Sequence, residues 1–109
     1  NIVKVVFNAE AQALYFSRST IPYVRNLASS QWLRHHDFYK HIGIYAFRNE
    51  VLQKCAALPP GRLEKIESLE QLRWLEAGYS IQVGLTALES MGIDTPEDLQ
   101  KFSTKNELL

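Results

Sequence analysis

Cysteine, glycine and charge of one sign are all in short supply here, and each shortage excludes something. The 109 residues contain one cysteine, Cys55, so no internal disulfide can form. A reducing cytoplasm is therefore the expected compartment. The longest apolar runs, such as Val5 to Phe7 and Ala56 to Leu58, fall far short of the roughly 18 to 20 residues that cross a bilayer. No membrane segment is expected, and the first residues lack the charged and apolar regions of a signal peptide. Twelve Lys plus Arg offset twelve Asp plus Glu, giving a net charge of zero and a pI near 7.0. With no overall field to hold a polyanion, nucleic acid is not an expected partner. There is no glycine-rich phosphate loop and no residue pair resembling a nucleophile with its base. His35, His36 and His41 invite a zinc reading, but a lone cysteine supplies no second ligand pair, so zinc is not expected.

What is present is an ordinary globular composition, with 46% hydrophobic, 11% aromatic and 22% charged positions. At this length a domain buries about two-thirds of its unfolded surface, enough for one core with little margin. The chain opens on Asn1 without a methionine and passes straight into strand-like sequence. It is expected to be cut from something larger.

Ile2 to Phe7 and Ala11 to Phe16 are rich in Val and aromatic residues and flank Asn8-Ala9-Glu10, a pattern that predicts a hairpin. Ser17 to Tyr23 is polar and closes on Ile21-Pro22, which predicts a loop. Val24 to Asp37 has no sustained period and predicts a long connection with a short helix inside it. Phe38 to Phe47 resumes a strand pattern around Gly43, a mark of a bulge or a close backbone approach, and is expected to cross the core. Asn49 to Leu58 has helical composition and stops at Pro59-Pro60-Gly61. Arg62 to Ala77 predicts one continuous helix, ended by Gly78. Ser80 to Leu85 predicts a strand, and Thr95-Pro96-Glu97-Asp98 predicts a helix start with Thr95 as cap. Strands alternating with helices, and no internal repeat, point to an α/β layer architecture.

Three features stand out chemically. On a continuous helix at 100° per residue, Glu70 falls between Leu63, Ile66, Trp74 and Ala77, on the arc that should be apolar. It is either a partly exposed carboxylate paired with Arg73 or a group facing a ligand. Asp94 sits just outside a helix start already capped by Thr95, so its carboxylate is either an alternative cap or an oxygen ligand suited to magnesium. Arg18, in Ser17-Arg18-Ser19-Thr20, is either solvated or forks onto a carboxylate or phosphate. His41, beside Gly43, is a core or a pocket histidine.

Four strings in this order, YFSRSTIP (Tyr15 to Pro22), HIGIYAFR (His41 to Arg48), LEKIESLEQLRWLEAGY (Leu63 to Tyr79) and GIDTPEDL (Gly92 to Leu99), resemble the 3-deoxy-manno-octulosonate cytidylyltransferases. The resemblance runs from Asn1 to Phe102 and covers the C-terminal half of that family. It implies the C-terminal portion of a Rossmann-like nucleotidyltransferase, a mixed sheet with flanking helices, in which residues 1–109 form the sugar-binding and dimerisation part. The activity it implies is transfer of CMP from CTP to the sugar acid Kdo, releasing pyrophosphate, with magnesium and by a homodimer. By motif match Asp94 would be the catalytic magnesium ligand. Arg18 would hold the sugar carboxylate, Glu70 and Gln71 would bond sugar hydroxyls, and His41 and Tyr45 would line the same pocket. Gly61-Arg62 departs from the Ser or Thr that often caps the LEKIE helix. The nucleotide-binding N-terminal half has no counterpart here, so the chain alone is expected to be inert. A CMP-sialic acid synthetase or another sugar-acid cytidylyltransferase is the alternative within this class, and a non-catalytic binding or dimerisation module is the alternative outside it.

Overall fold

The computed structural model describes residues 2–87. The expected hairpin is present as β1 (Lys4–Phe7) and β2 (Ala13–Ser17), paired antiparallel with Val5 opposite Phe16 and Val6 opposite Tyr15. Its turn is built by Asn8, whose Oδ1 accepts the backbone N–H groups of Glu10 (3.0 Å) and Gln12 (2.9 Å). This is the local bonding that lets Asn organise turns. Ala11 stands at φ 59° to complete the reversal, so β2 begins two residues later than its sequence suggests.

A third strand, β3 (Tyr39–Lys40), pairs antiparallel with the other edge of β1, giving the order β2-β1-β3. The strand expected over Phe38 to Phe47 is thus much shorter. Pairing lasts one residue further, where the His41 N–H donates to the Val3 carbonyl at 2.8 Å. The chain then leaves the sheet at a γ-turn centred on Gly43, closed by the Ile44 N–H on the Ile42 carbonyl at 2.6 Å. A Cβ at Gly43 would meet nothing within 4 Å, so tight turning and not a close approach explains the residue. The strand expected over Ser80 to Leu85 is reduced to one bridge, Gln12 with Gln82.

Between β2 and β3 lies a long connection with a 3-10 turn (Ser29–Gln31) running into the short α1 (Trp32–His35). Trp32 anchors it, donating its indole N–H to the Leu27 carbonyl at 2.9 Å and stacking on Phe38. α2 (Asn49–Ala56) ends before Pro59, as its sequence indicates.

The single helix expected over Arg62 to Ala77 is two helices, α3 (Arg62–Glu67) and α4 (Gln71–Glu76), broken at Ser68, which takes the left-handed conformation at φ 55°. Packing explains the break. A straight helix would turn Ile66 and Trp74 to one side together; with the reversal, Ile66 stays exposed while Leu69, Leu72 and Trp74 are buried. Leu69 and Leu72 join Val5, Ala13 and Phe16 in one core, so α4 lies against β2. The break also relocates the charges. Arg73 does not pair with Glu70; it forks onto Glu64, with Nε to Oε2 at 2.7 Å and Nη2 to Oε1 at 2.6 Å, locking α4 to α3.

Helix ends are satisfied by distant groups. With no side chain at Gly61 to cap α3, the Leu63 N–H donates to Glu76 Oε1 at the far end of α4 (2.8 Å), and the Gly61 N–H donates to Glu64 Oε2 (3.1 Å). A Cβ at Gly61 would come within 3.0 Å of that same Glu76 oxygen. α4 ends as expected at Gly78, φ 95°, with Gly78 N–H bonded to the Leu75 carbonyl and Tyr79 N–H to that of Trp74. This double bond pattern is a Schellman stop.

Candidate functional site

After Gly43 the chain folds back over α4, and that return brings three of the sequence-nominated residues into one hydrogen-bonded row. Gln71, buried in the first turn of α4, contacts His41 Nδ1 through its amide nitrogen at 3.5 Å, and His41 Nε2 meets the Tyr45 hydroxyl at 2.8 Å. An amide nitrogen can only donate, so this contact goes with the tautomer in which Nδ1 accepts and Nε2 carries the proton. In that tautomer Nε2–H donates to the Tyr45 oxygen and the phenol proton is free to donate outward.

Electrostatics agree with a neutral row. Burial pushes the His41 pKa below 6.5. Burial, and then the charge of Glu70, push the Tyr45 phenol well above 10.0, so it stays protonated. The sign for His41 follows from linkage. The unfolded chain takes up a proton near pH 6.5 that the folded chain resists, so His41 lowers stability as pH falls below about 6.5. The expected result of an NMR titration is a His41 midpoint below 6.5; a midpoint at or above that value would contradict a neutral, buried ring.

Aromatic rings hold this row in place. His41 lies edge-on to Phe16 at 4.9 Å between centroids, and Tyr45 and Phe47 both stand edge-on to Trp74, at 4.9 and 5.1 Å. Together with Tyr79 these rings line a cavity of about 920 Å³. Trp74 and Phe47 were not among the sequence candidates. Trp74 lies three residues beyond Gln71 on the same helix, and that spacing was the available signal.

Glu70 is exposed on the α4 side of the row, immediately before Gln71. Arg18 lies at the α3–α4 break and not in the His41 row. Its Nε donates to the Glu67 carbonyl (2.6 Å) and its Nη2 to the Ser68 carbonyl (2.8 Å), satisfying carbonyls orphaned where α3 ends. No bond from its Nη1 is among these contacts. Glu67, also missed in the sequence, faces the same loop: its Oε1 accepts the Ser17 hydroxyl (3.0 Å) and the Arg18 N–H (2.9 Å). Burial opposes its charge, but bonds from the Arg18 amide, the Ser17 hydroxyl and the Tyr15 phenol outweigh this and hold its pKa below 4.5. Asp94 and the helix start at Thr95 lie outside the described residues. Among the described residues no group of three or more His, Cys, Asp or Glu is arranged to hold a metal ion, so they do not by themselves fit a magnesium site. Nor, among them, is any helix long and apolar enough to cross a membrane.

The family model for cytidylyltransferases matches residues 1–83, and the chain belongs to that family. Among its relatives are the 3-deoxy-manno-octulosonate cytidylyltransferases of Parabacteroides distasonis, 57% identical over 101 residues, and of Bacteroides thetaiotaomicron, 58% identical over 100. The match takes in 93% and 92% of this chain but 40% of each relative, so the chain spans about two-fifths of their length. A solved structure of CMP:2-keto-3-deoxy-manno-octonic acid synthetase complexed with CTP superposes with a TM-score of 0.80 at 44% identity, over 99% of this chain and 43% of that one. The fold is therefore a portion of the nucleotidyltransferase α/β fold, as its sequence pattern indicates.

Proposed function

We propose that this chain forms the sugar-acid wall of a 3-deoxy-manno-octulosonate cytidylyltransferase. The observation that carries the reading is the Gln71–His41–Tyr45 row, in which His41 and Tyr45 line the cavity and Gln71 bonds to His41 from behind, with the charge of Glu70 acting on Tyr45. In the proposed reaction the 2-hydroxyl oxygen of Kdo attacks the α-phosphorus of CTP. A new O–P bond forms, the bond from the α-phosphorus to the bridging oxygen breaks, pyrophosphate leaves with the electron pair, and the hydroxyl proton passes to water. Such transfer depends on positioning and charge stabilisation more than on a protein nucleophile, consistent with a neutral Gln71–His41–Tyr45 row flanked by the charges of Glu70 and Arg18. Gln71 and Glu70 bond sugar hydroxyls, the outward phenol proton of Tyr45 supplies a donor, and Arg18 offers its Nη1 to the sugar carboxylate.

Magnesium is proposed as the metal, with Asp94 as the ligand from this chain. That assignment rests on the GIDTPEDL match alone. The cytoplasm, where CTP is available, is the proposed compartment. A homodimer is proposed on the same resemblance, with the YFSRSTIP and HIGIYAFR region near the contact. The exposed apolar side chains Tyr23, Leu33 and Ile44 favour it.

The test is pyrophosphate release from CTP and magnesium, offered Kdo or N-acetylneuraminate, by this chain and by a version extended upstream to the length of its relatives. The expected result is release by the extended version with Kdo only, and none from the 109 residues alone. Release with N-acetylneuraminate instead would change the sugar, and release with neither would favour a binding module.

A further inference from the structure

The loop that carries Arg18 and the helix start that carries Glu70 and Gln71 come from distant parts of the sequence, and one carboxylate stands between them. Glu67 Oε1 accepts both the Ser17 hydroxyl and the Arg18 backbone N–H, 50 and 49 residues away in sequence. The Arg18 guanidinium in turn sits on the carbonyls of Glu67 and Ser68, the last residue of α3 and the left-handed residue of the break. Ser17 is buried, its hydroxyl donates to Glu67, and its oxygen also accepts the Ser19 N–H at 3.0 Å, which fixes the loop on the far side of Arg18. Two and three residues past the break come Glu70 and Gln71. The loop and the helix start thus share one set of bonds, and the carboxylate is its centre.

We propose that Glu67 is a positioning residue for the sugar acid: by accepting the Ser17 hydroxyl and the Arg18 N–H it fixes the guanidinium of Arg18 relative to Glu70 and Gln71. This rests on the reading of those three residues as sugar contacts. Glu67 itself touches no substrate. Its removal leaves only the guanidinium's own bonds to the Glu67 and Ser68 carbonyls between loop and break, so Arg18 and Gln71 meet one ligand in a looser geometry, and binding of the sugar acid suffers while that of CTP does not.

The experiment uses the full-length enzyme as wild type, E67A, E67Q and S17A. Activity of the wild type with Kdo or N-acetylneuraminate first establishes the substrate, independently of any variant. The expected result is a KM for the accepted sugar acid raised about tenfold in E67A, with KM for CTP unchanged, a split that separates lost binding geometry from general damage. E67Q, which keeps an oxygen acceptor, restores most of the loss. Should E67A fail to fold, S17A must raise the sugar KM by a smaller factor and leave that of CTP alone. Equal rises in both KM values, no rise, or no rescue by E67Q would overturn the proposal. A wild type inert to both sugars would sink the substrate reading, and the NMR signal of the Arg18 Nε–H would still decide on Glu67. That signal is expected to be protected from exchange in wild type and E67Q and exposed in E67A; equal protection in all three overturns the positioning role.

Discussion

Leu72→Ala is expected to lower the unfolding free energy by about 2–5 kcal/mol, the range for truncating a fully buried leucine whose surroundings cannot collapse. Leu72 is 0% exposed and lies in α4 among Val5, Ala13, Phe16 and Leu69, where helix and sheet meet. In a domain with total stability of about 5–15 kcal/mol, such a loss is a large fraction of the whole. Urea unfolding checks it: the midpoint falls sharply for L72A, and L72M, which keeps the volume, stays within about 1.5 kcal/mol of wild type. A loss under about 1 kcal/mol for L72A would mean that α4 is not seated on the sheet as described.

In the full-length enzyme, Gln71→Ala is expected to reduce kcat/KM for the sugar acid about 10- to 100-fold, equivalent to about 1.4–2.8 kcal/mol. Two losses combine. The substitution removes a proposed contact to a sugar hydroxyl. It also strips His41 Nδ1 of its donor, so nothing fixes the proton on Nε2 and the outward direction of the Tyr45 hydroxyl is lost. Steady-state kinetics with the sugar acid and CTP varied separately provide the measurement. Wild-type kcat/KM in Q71A would remove Gln71 from the site.

The hairpin, α2, the Gly78 stop and the α/β class were legible because each is decided by local chemistry: an Asn turn, a Pro-Pro breaker, a glycine at positive φ. The α3–α4 break was not, since Ser68 carries no helix-breaking signal and takes its left-handed conformation to let Leu69 and Leu72 reach a core built by distant strands. That one error propagated. On a straight helix Glu70 is either a partly exposed carboxylate paired with Arg73 or a group facing a ligand; with the break it is exposed, but Arg73 belongs to Glu64. His41, Tyr45, Glu70 and Gln71 were nominated by their motifs, but the row among them depends on the turn at Gly43, which no periodicity announces. Glu67 and Trp74 escaped notice because a lone Glu and a lone Trp on a helix each have an ordinary explanation on the surface or in the core.

The entry to α3 carries an evolutionary consequence. The Leu63 N–H can be satisfied by a local hydroxyl or by Glu76 reaching back from α4, and with the Glu76 carboxylate 3.0 Å from the place of a Cβ at Gly61, any side chain there makes Glu76 give way. Positions 61 and 76 should therefore covary. A lineage that regains Ser or Thr at 61 releases 76 from its acid, and one that loses the acid while keeping glycine leaves the helix start open.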